Sequence, residues 1–66
     1  MLVNVNGDPV DLPDEFSVLQ LLMQLGLARQ KVAVELNREI VPRSEYSDRL
    51  LQPADVVEIV QAIGGG

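Results

Sequence analysis

Residues 17–26, SVLQLLMQLG, carry the strongest periodic signal in the chain and decide its fold. Ser17 and Gln20 form the S-x-x-Q pattern of a capping box, which predicts that a helix begins at Ser17. Gly26 is a stop signal. The apolar residues recur at helical spacing and predict one buried, well-covered face: Val18, Leu21, Leu22 and Leu25, widened by Leu19 and Met23.

The segment before this helix predicts a β-hairpin. Asn6-Gly7 stands between apolar stretches, and both residues tolerate the positive φ that a two-residue hairpin turn requires. We expect strands at about 1–6 and 8–12. Pro9 cannot donate a ladder hydrogen bond, so the second strand should lie at an edge of the sheet or begin there.

The segment after the helix predicts three more strands. Alternation in 31–36, KVAVEL, indicates a strand, followed by a turn at 37–39 and a brief strand at 40–41 that Pro42 ends. Residues 43–52 look irregular, with one helical turn anchored by Tyr46, Leu50 and Leu51. A last strand at about 56–62 should point Val57 and Ile59 inward.

The predicted order is therefore β-β-α-β-β-β. One helix on one face of a small mixed sheet is an α+β domain with two layers. We expect this domain to span 1–62 and a flexible glycine tail to span 63–66.

Composition excludes several classes of function. The 66 residues include no cysteine and no histidine, so Cys–His catalysis, a Ser–His–Asp triad and a Cys- or His-ligated metal site are absent. A net charge of −5 argues against binding to nucleic acid. No apolar run approaches the length of a membrane span, and the N-terminus lacks the features of a signal peptide. We expect a soluble, cytoplasmic protein.

The C-terminal sequence QAIGGG, residues 61–66, raises a different possibility. Glycine has no Cβ, so nothing crowds the terminal carbonyl and the tail can enter a narrow groove. A carboxylate is a poor electrophile until it is activated, for example as an acyl-adenylate made by a partner enzyme with ATP. A glycine tail alone is also compatible with a frayed terminus.

Residues 33–46, AVELNREIVPRSEY, narrow the interpretation of the glycine tail. This run of a strand, an Asn-containing turn, Ile-Val-Pro-Arg and a short helical piece resembles the ThiS family of ubiquitin-like (β-grasp) sulfur carriers in thiamine biosynthesis. The terminal Gly65-Gly66 after an apolar strand and the S-V-x-x-L-L helix start agree, and the resemblance spans essentially the whole chain. Family members often carry Gly-Asp before the last strand, where this chain has Ala54-Asp55, so we expect an altered turn but unaltered chemistry.

The resemblance implies a carrier and co-substrate with no active site of its own. A ThiF-type adenylyltransferase would adenylate the Gly66 carboxylate, with ATP and Mg²⁺ bound by that enzyme and no cofactor bound by this chain. A persulfide donor would convert the adenylate to a thiocarboxylate, and a ThiG-type thiazole synthase would accept the sulfur. Gly65 and Gly66 carry this function in the family.

Partner contacts are expected next to the tail and on the sheet face opposite the helix. The candidates are Ile63 and Gly64 in the tail, Arg43 in the Ile-Val-Pro-Arg run, and the alternating residues Val56, Glu58 and Val60 of the last strand, with Ala33 and Glu35 beside them. For Arg43 a structural role, as a salt bridge or loop anchor, is an alternative. For Val56 and Val60 the alternative is simple β-propensity.

Three other functions remain open at this point. A molybdopterin-type sulfur carrier would use the same chemistry, although that subunit is usually longer and lacks the Asn…Ile-Val-Pro-Arg run. A ubiquitin-like modifier would transfer the activated glycine to an amine. A plain interaction module would make no use of the tail.

Overall fold

The computed structural model describes residues 1–61, which form a five-stranded mixed sheet with one α-helix packed on one face. The elements in chain order are β1 (Leu2–Val5), β2 (Asp8–Asp11), α1 (Val18–Gln24), β3 (Val32–Leu36), β4 (Glu39–Ile40), a 3-10 turn (Arg43–Glu45) and β5 (Val56–Gln61). The strand order is β2-β1-β5-β3-β4. β1 and β5 run parallel, and the other neighbours are antiparallel. The predicted fold class is confirmed.

Two tight turns build the two hairpins of the sheet. Asn6 and Gly7 have φ of 50° and 90°, and Asn37 and Arg38 have φ of 51° and 70°. Positive φ at both central residues is what a type I′ turn requires. The second turn is one residue shorter than predicted, so β4 consists of Glu39–Ile40 and ends before Val41.

The helix begins where the capping pattern predicts. Gln20 N–H donates to Ser17 Oγ at 3.0 Å, and Ser17 N–H donates to Gln20 Oε1 at 2.8 Å. Backbone carbonyls of the irregular segment 43–52 accept hydrogen bonds from the other N–H groups at the start of the helix. Val18 N–H donates to the Arg49 carbonyl and Leu19 N–H to the Tyr46 carbonyl, each at 2.9 Å. The N–H groups of the first helical turn, which have no partner inside a helix, are thus satisfied.

The core lies between α1 and the sheet. Its buried apolar residues are Val3, Val5, Leu12, Val18, Leu21, Leu22, Val34, Leu36, Val41, Tyr46, Leu51, Val57 and Ile59. This set contains Val57 and Ile59, which were predicted to face inward, and the predicted anchors Tyr46 and Leu51.

Three expectations about burial were wrong. Leu25 is exposed because α1 ends at Gln24 and Leu25 is its C-cap, so it leaves the helical face. Met23 is exposed because it lies about 100° around the helix from Leu22, toward solvent. Leu50 is also exposed, because its neighbour Leu51 takes the inward position of the irregular segment.

Within residues 1–61, the only α-helix is seven residues long, so no described helix has the length and hydropathy needed to cross a membrane.

Candidate functional site

The strand that leads to the tail occupies the middle of the sheet. β5 lies between β1 and β3, and its inward residues Val57 and Ile59 are buried. At its end Gln61 pairs with Val32, and Gln61 Nε2 donates to Gln30 Oε1 at 2.6 Å. A strand held on both sides has little freedom of its own. The sheet therefore fixes the point from which the chain continues toward its C-terminus.

Asn6 holds β5 beyond the end of β1. Its Oδ1 accepts from Ile59 N–H at 2.7 Å, and its Nδ2 donates to the Ile59 carbonyl at 3.2 Å. The side-chain amide thus makes the two bonds that a further strand residue would make through its backbone. The same residue opens the β1–β2 turn, so one asparagine serves both the hairpin and the exit strand.

The tail residues predicted to carry sulfur or to contact partners, Ile63, Gly64, Gly65 and Gly66, lie outside the described residues. The predicted domain boundary after residue 62 and the predicted flexibility of the tail lie there too. These remain predictions.

The predicted interface residues of β5 share one surface, which we call the open face. It is the side of the sheet opposite α1, and its members alternate with buried core residues. Cross-strand register places Ala33 opposite Val60 and Glu35 opposite Glu58. On this side of the sheet we use the name open face for seven residues: Leu2, Ala33, Glu35, Ile40, Val56, Glu58 and Val60. The polar or edge residues Asn4, Pro9 and Asp11 also lie on this side, because Asn4 is opposite Val56 and Pro9 and Asp11 are opposite Asn4 and Leu2.

Two members of the open face were not predicted from the sequence. Ile40 is directly opposite Glu35 across the β3–β4 hairpin, and Leu2 alternates with the buried Val3. Both are large and exposed: Ile40 by 73% and Leu2 by 62%, beside Val60 at 61% and Val56 at 44%. The two-residue turn at 37–38 determines that Ile40 is opposite Glu35. A prediction with the correct turn length would therefore have placed Ile40 on the open face.

Arg43 lies elsewhere. It lines a pocket of about 190 Å³ on the helix side of the sheet, together with Leu22, Val32 and Tyr46. Within residues 1–61 its side chain forms no salt bridge, since the ion pairs there involve Arg49 with Glu45 and the N-terminal amine with Asp11 and Asp14. The structure thus brings Val56, Glu58 and Val60 together and separates Arg43 from them.

The open face combines apolar side chains with negative charge. It contains two glutamates and no basic residue among its seven members. Groups of three or more acidic side chains arranged to hold a metal ion are absent from residues 1–61. The open face therefore presents apolar side chains around two carboxylates.

Comparison with known proteins identifies relatives over the whole chain. Thiazole synthases from Magnetococcus marinus and Paramagnetospirillum magneticum are each 42% identical over 66 residues. These residues are all of this chain but only 20% of each synthase. The chain thus spans about a fifth of the length of those two relatives. The sulfur carrier protein ThiS of Bacillus subtilis is 35% identical over 66 residues, which cover 98% of this chain and 100% of that protein.

A solved structure agrees with the fold. The crystal structure of a thiamine biosynthesis protein (ThiS) from Geobacter metallireducens superimposes with a TM-score of 0.86 at 33% identity, and the match covers 100% of both chains. The family model of the ThiS family matches residues 2–66. The resemblance inferred from residues 33–46 is confirmed, and the chain belongs to the ThiS family.

Proposed function

We propose that this protein is a sulfur carrier in the formation of the thiazole of thiamine, with the sulfur held at the Gly66 carboxylate. The observation that carries this proposal is the match to the sulfur carrier of Bacillus subtilis over that protein's full length. The two thiazole synthases support the choice of pathway. In each, a segment similar to this chain is part of a protein named for the thiazole reaction, as expected if carrier and synthase act together.

The chemistry requires an activating partner. A carboxylate oxygen of Gly66 attacks the α-phosphorus of ATP, and pyrophosphate leaves, which produces an acyl-adenylate. The terminal sulfur of a persulfide then attacks the acyl carbon and displaces AMP. A second thiolate then attacks the donor's sulfur in the resulting acyl disulfide, so that a new disulfide joins this thiol to the donor and the thiocarboxylate is released on Gly66.

This chain contributes the acyl group and its presentation. It has no cysteine, so the thiols of this scheme are assigned to partner proteins, and the ATP site is assigned to the activating enzyme. β5 fixes the last described residue, Gln61, by pairing with β3. The five residues that follow reach at most about 18 Å when fully extended, which is enough to enter a cleft while the domain stays outside. A ThiF-type adenylyltransferase, with ATP and Mg²⁺, is the proposed activating enzyme.

The choice between pathways can be tested with the thiocarboxylate form of the protein. We expect a ThiG-type thiazole synthase to consume it and to release the carboxylate form together with the thiazole. The large subunit of a molybdopterin synthase serves as the comparison acceptor. Turnover by that subunit, with none by thiazole synthase, would contradict the proposal and favour a molybdopterin-type carrier.

A further inference from the structure

The centre of the open face holds two glutamates in direct opposition. Glu35 of β3 and Glu58 of β5 are cross-strand partners in an antiparallel pair. Directly opposite residues have Cβ atoms roughly 4.5–5.5 Å apart, and like charges in this position destabilise a sheet. The fold therefore carries an unfavourable pair in the middle of its sheet.

No ion pair within residues 1–61 neutralises either glutamate. Their neighbours on the open face are apolar, with Ile40 opposite Glu35 and Val56 and Val60 flanking Glu58 along β5. While the face is open to water, solvation and salt keep the repulsion small.

A partner that covers the open face makes the pair of glutamates more costly. Exposed apolar side chains of this size are typical of an interaction surface. A partner that buries Ile40 and Val60 also removes water from the carboxylates between them, and desolvated anions are costly unless a cation is paired with them. The complementary surface is thus apolar around its edge and cationic at its centre.

The position of β5 limits the partner to an enzyme that receives the tail, and the activating enzyme is the first to do so in the proposed function. Val56, Glu58 and Val60 belong to the same strand that continues into the tail. An enzyme whose cleft receives the tail lies next to this strand. We propose that the activating enzyme covers the open face and sets an arginine or lysine side chain between Glu35 and Glu58. This inference rests on the proposed function, because the partner is the enzyme that adenylates Gly66.

Neutral variants test the inference. Glu35→Gln and Glu58→Gln remove one charge each and keep the shape of the side chain. Glu39→Gln is the matched control, because Glu39 is exposed on β4 but opposite Leu36, on the other side of the sheet. Adenylation by a ThiF-type adenylyltransferase, followed by pyrophosphate release at increasing carrier concentration, gives KM and kcat for each variant.

We expect Glu35→Gln and Glu58→Gln to raise KM for the carrier by about tenfold or more, because each variant leaves the partner's cation incompletely paired. Glu39→Gln should leave KM within about twofold of wild type. In a variant that combines Glu35→Gln and Glu58→Gln, KM should depend less on salt concentration than it does in wild type. The urea midpoint should stay equal or rise, since the substitutions relieve repulsion; a residue that mattered only for folding would lower it.

The two proposals fail in different ways. If wild type is adenylated and the open-face variants show the KM of Glu39→Gln, the inference is overturned while the proposed function stands. If saturating wild type releases no pyrophosphate, the proposed function is overturned, and the inference with it.

Discussion

The side chain of Asn37 joins the β3–β4 turn to Asp55 at the start of β5. Asn37 Nδ2 donates to Asp55 Oδ1 at 3.0 Å, and Asn37 Oδ1 accepts from Val56 N–H at 2.9 Å. Asp55 Oδ2 in turn accepts from Gln52 N–H at 2.7 Å. Asn37 lies in the stretch 33–46 that resembles the ThiS family. Its side chain therefore fixes the residue at which β5 begins.

Replacing this asparagine should destabilise the fold. Asn37→Ala removes both side-chain hydrogen bonds and also places alanine at φ of 51°. We expect the free energy of unfolding to fall by about 1–3 kcal/mol, measured by urea denaturation. In a double-mutant cycle with Asp55→Ala, contacting residues should couple by about 0.5 kcal/mol or more. Strict additivity would mean that the bond contributes nothing.

The capping box should contribute measurably to stability. Ser17→Ala removes the acceptor for Gln20 N–H, and the loss should be about 0.5–2 kcal/mol in the free energy of unfolding. Ser44→Ala is the control, because Ser44 is exposed in the 3-10 turn, and it should change stability by about 0.5 kcal/mol at most. Equal effects of the two substitutions would contradict the assigned cap.

Ala54 holds a backbone conformation that suits glycine better. Its φ is 68°, in the left-handed region, where a Cβ costs roughly 1–2 kcal/mol. Ala54→Gly should therefore raise the free energy of unfolding by up to about 1 kcal/mol after the entropy of the unfolded glycine is subtracted. Ala54 therefore occupies a turn position whose backbone conformation favours glycine over alanine.

A matched substitution separates this conformational effect from a general effect of glycine. Ala28 is also exposed in a turn, but its φ is not positive. Ala28→Gly should lower stability by about 0.4–1 kcal/mol. A loss of stability in Ala54→Gly would show that the left-handed conformation at residue 54 is not strained.

Deleting Gly66 should separate activity from stability. The deletion moves the terminal carboxylate back by about 3.3–3.6 Å, and a misplacement of about 1 Å can already cost a factor of about 100 in rate. We expect adenylation to be lost. The thermal midpoint should barely change, because every buried residue of the described core precedes Val60. A large fall in the midpoint would mean that Gly66 packs against the domain.

The turns and the helix start could be predicted from the sequence, because interactions between residues close in sequence determine them. Asn6-Gly7 specifies its turn wherever the hairpin lies, and Ser17 with Gln20 specifies a helix start within four residues. The placement of β5 between β1 and β3 depends on pairings with residues about fifty positions away in β1 and about 20–30 positions away in β3, which no local pattern encodes. The same holds for the Asn6 bonds to Ile59 and for the acceptors that Tyr46 and Arg49 provide to the helix.

The candidate site was partly predictable for the same reason. Alternation along β5 is enough to place Val56, Glu58 and Val60 on one face, since the period of a strand is two. The opposition of Glu35 and Glu58 required the register between two distant strands. Ile40 was missed because its exposure follows from the length of the turn at Asn37 and Arg38.

The intact mass of the protein tests the central claim most directly. Wild type and the Gly66 deletion are each incubated with a ThiF-type adenylyltransferase, ATP, Mg²⁺ and a persulfide donor. We predict that wild type gains the mass difference between one sulfur and one oxygen atom, that fragmentation places the gain on Gly66, and that the deletion variant gains nothing. An unchanged wild-type mass with an enzyme that is active on its own carrier, or a gain on any other residue, would contradict the account.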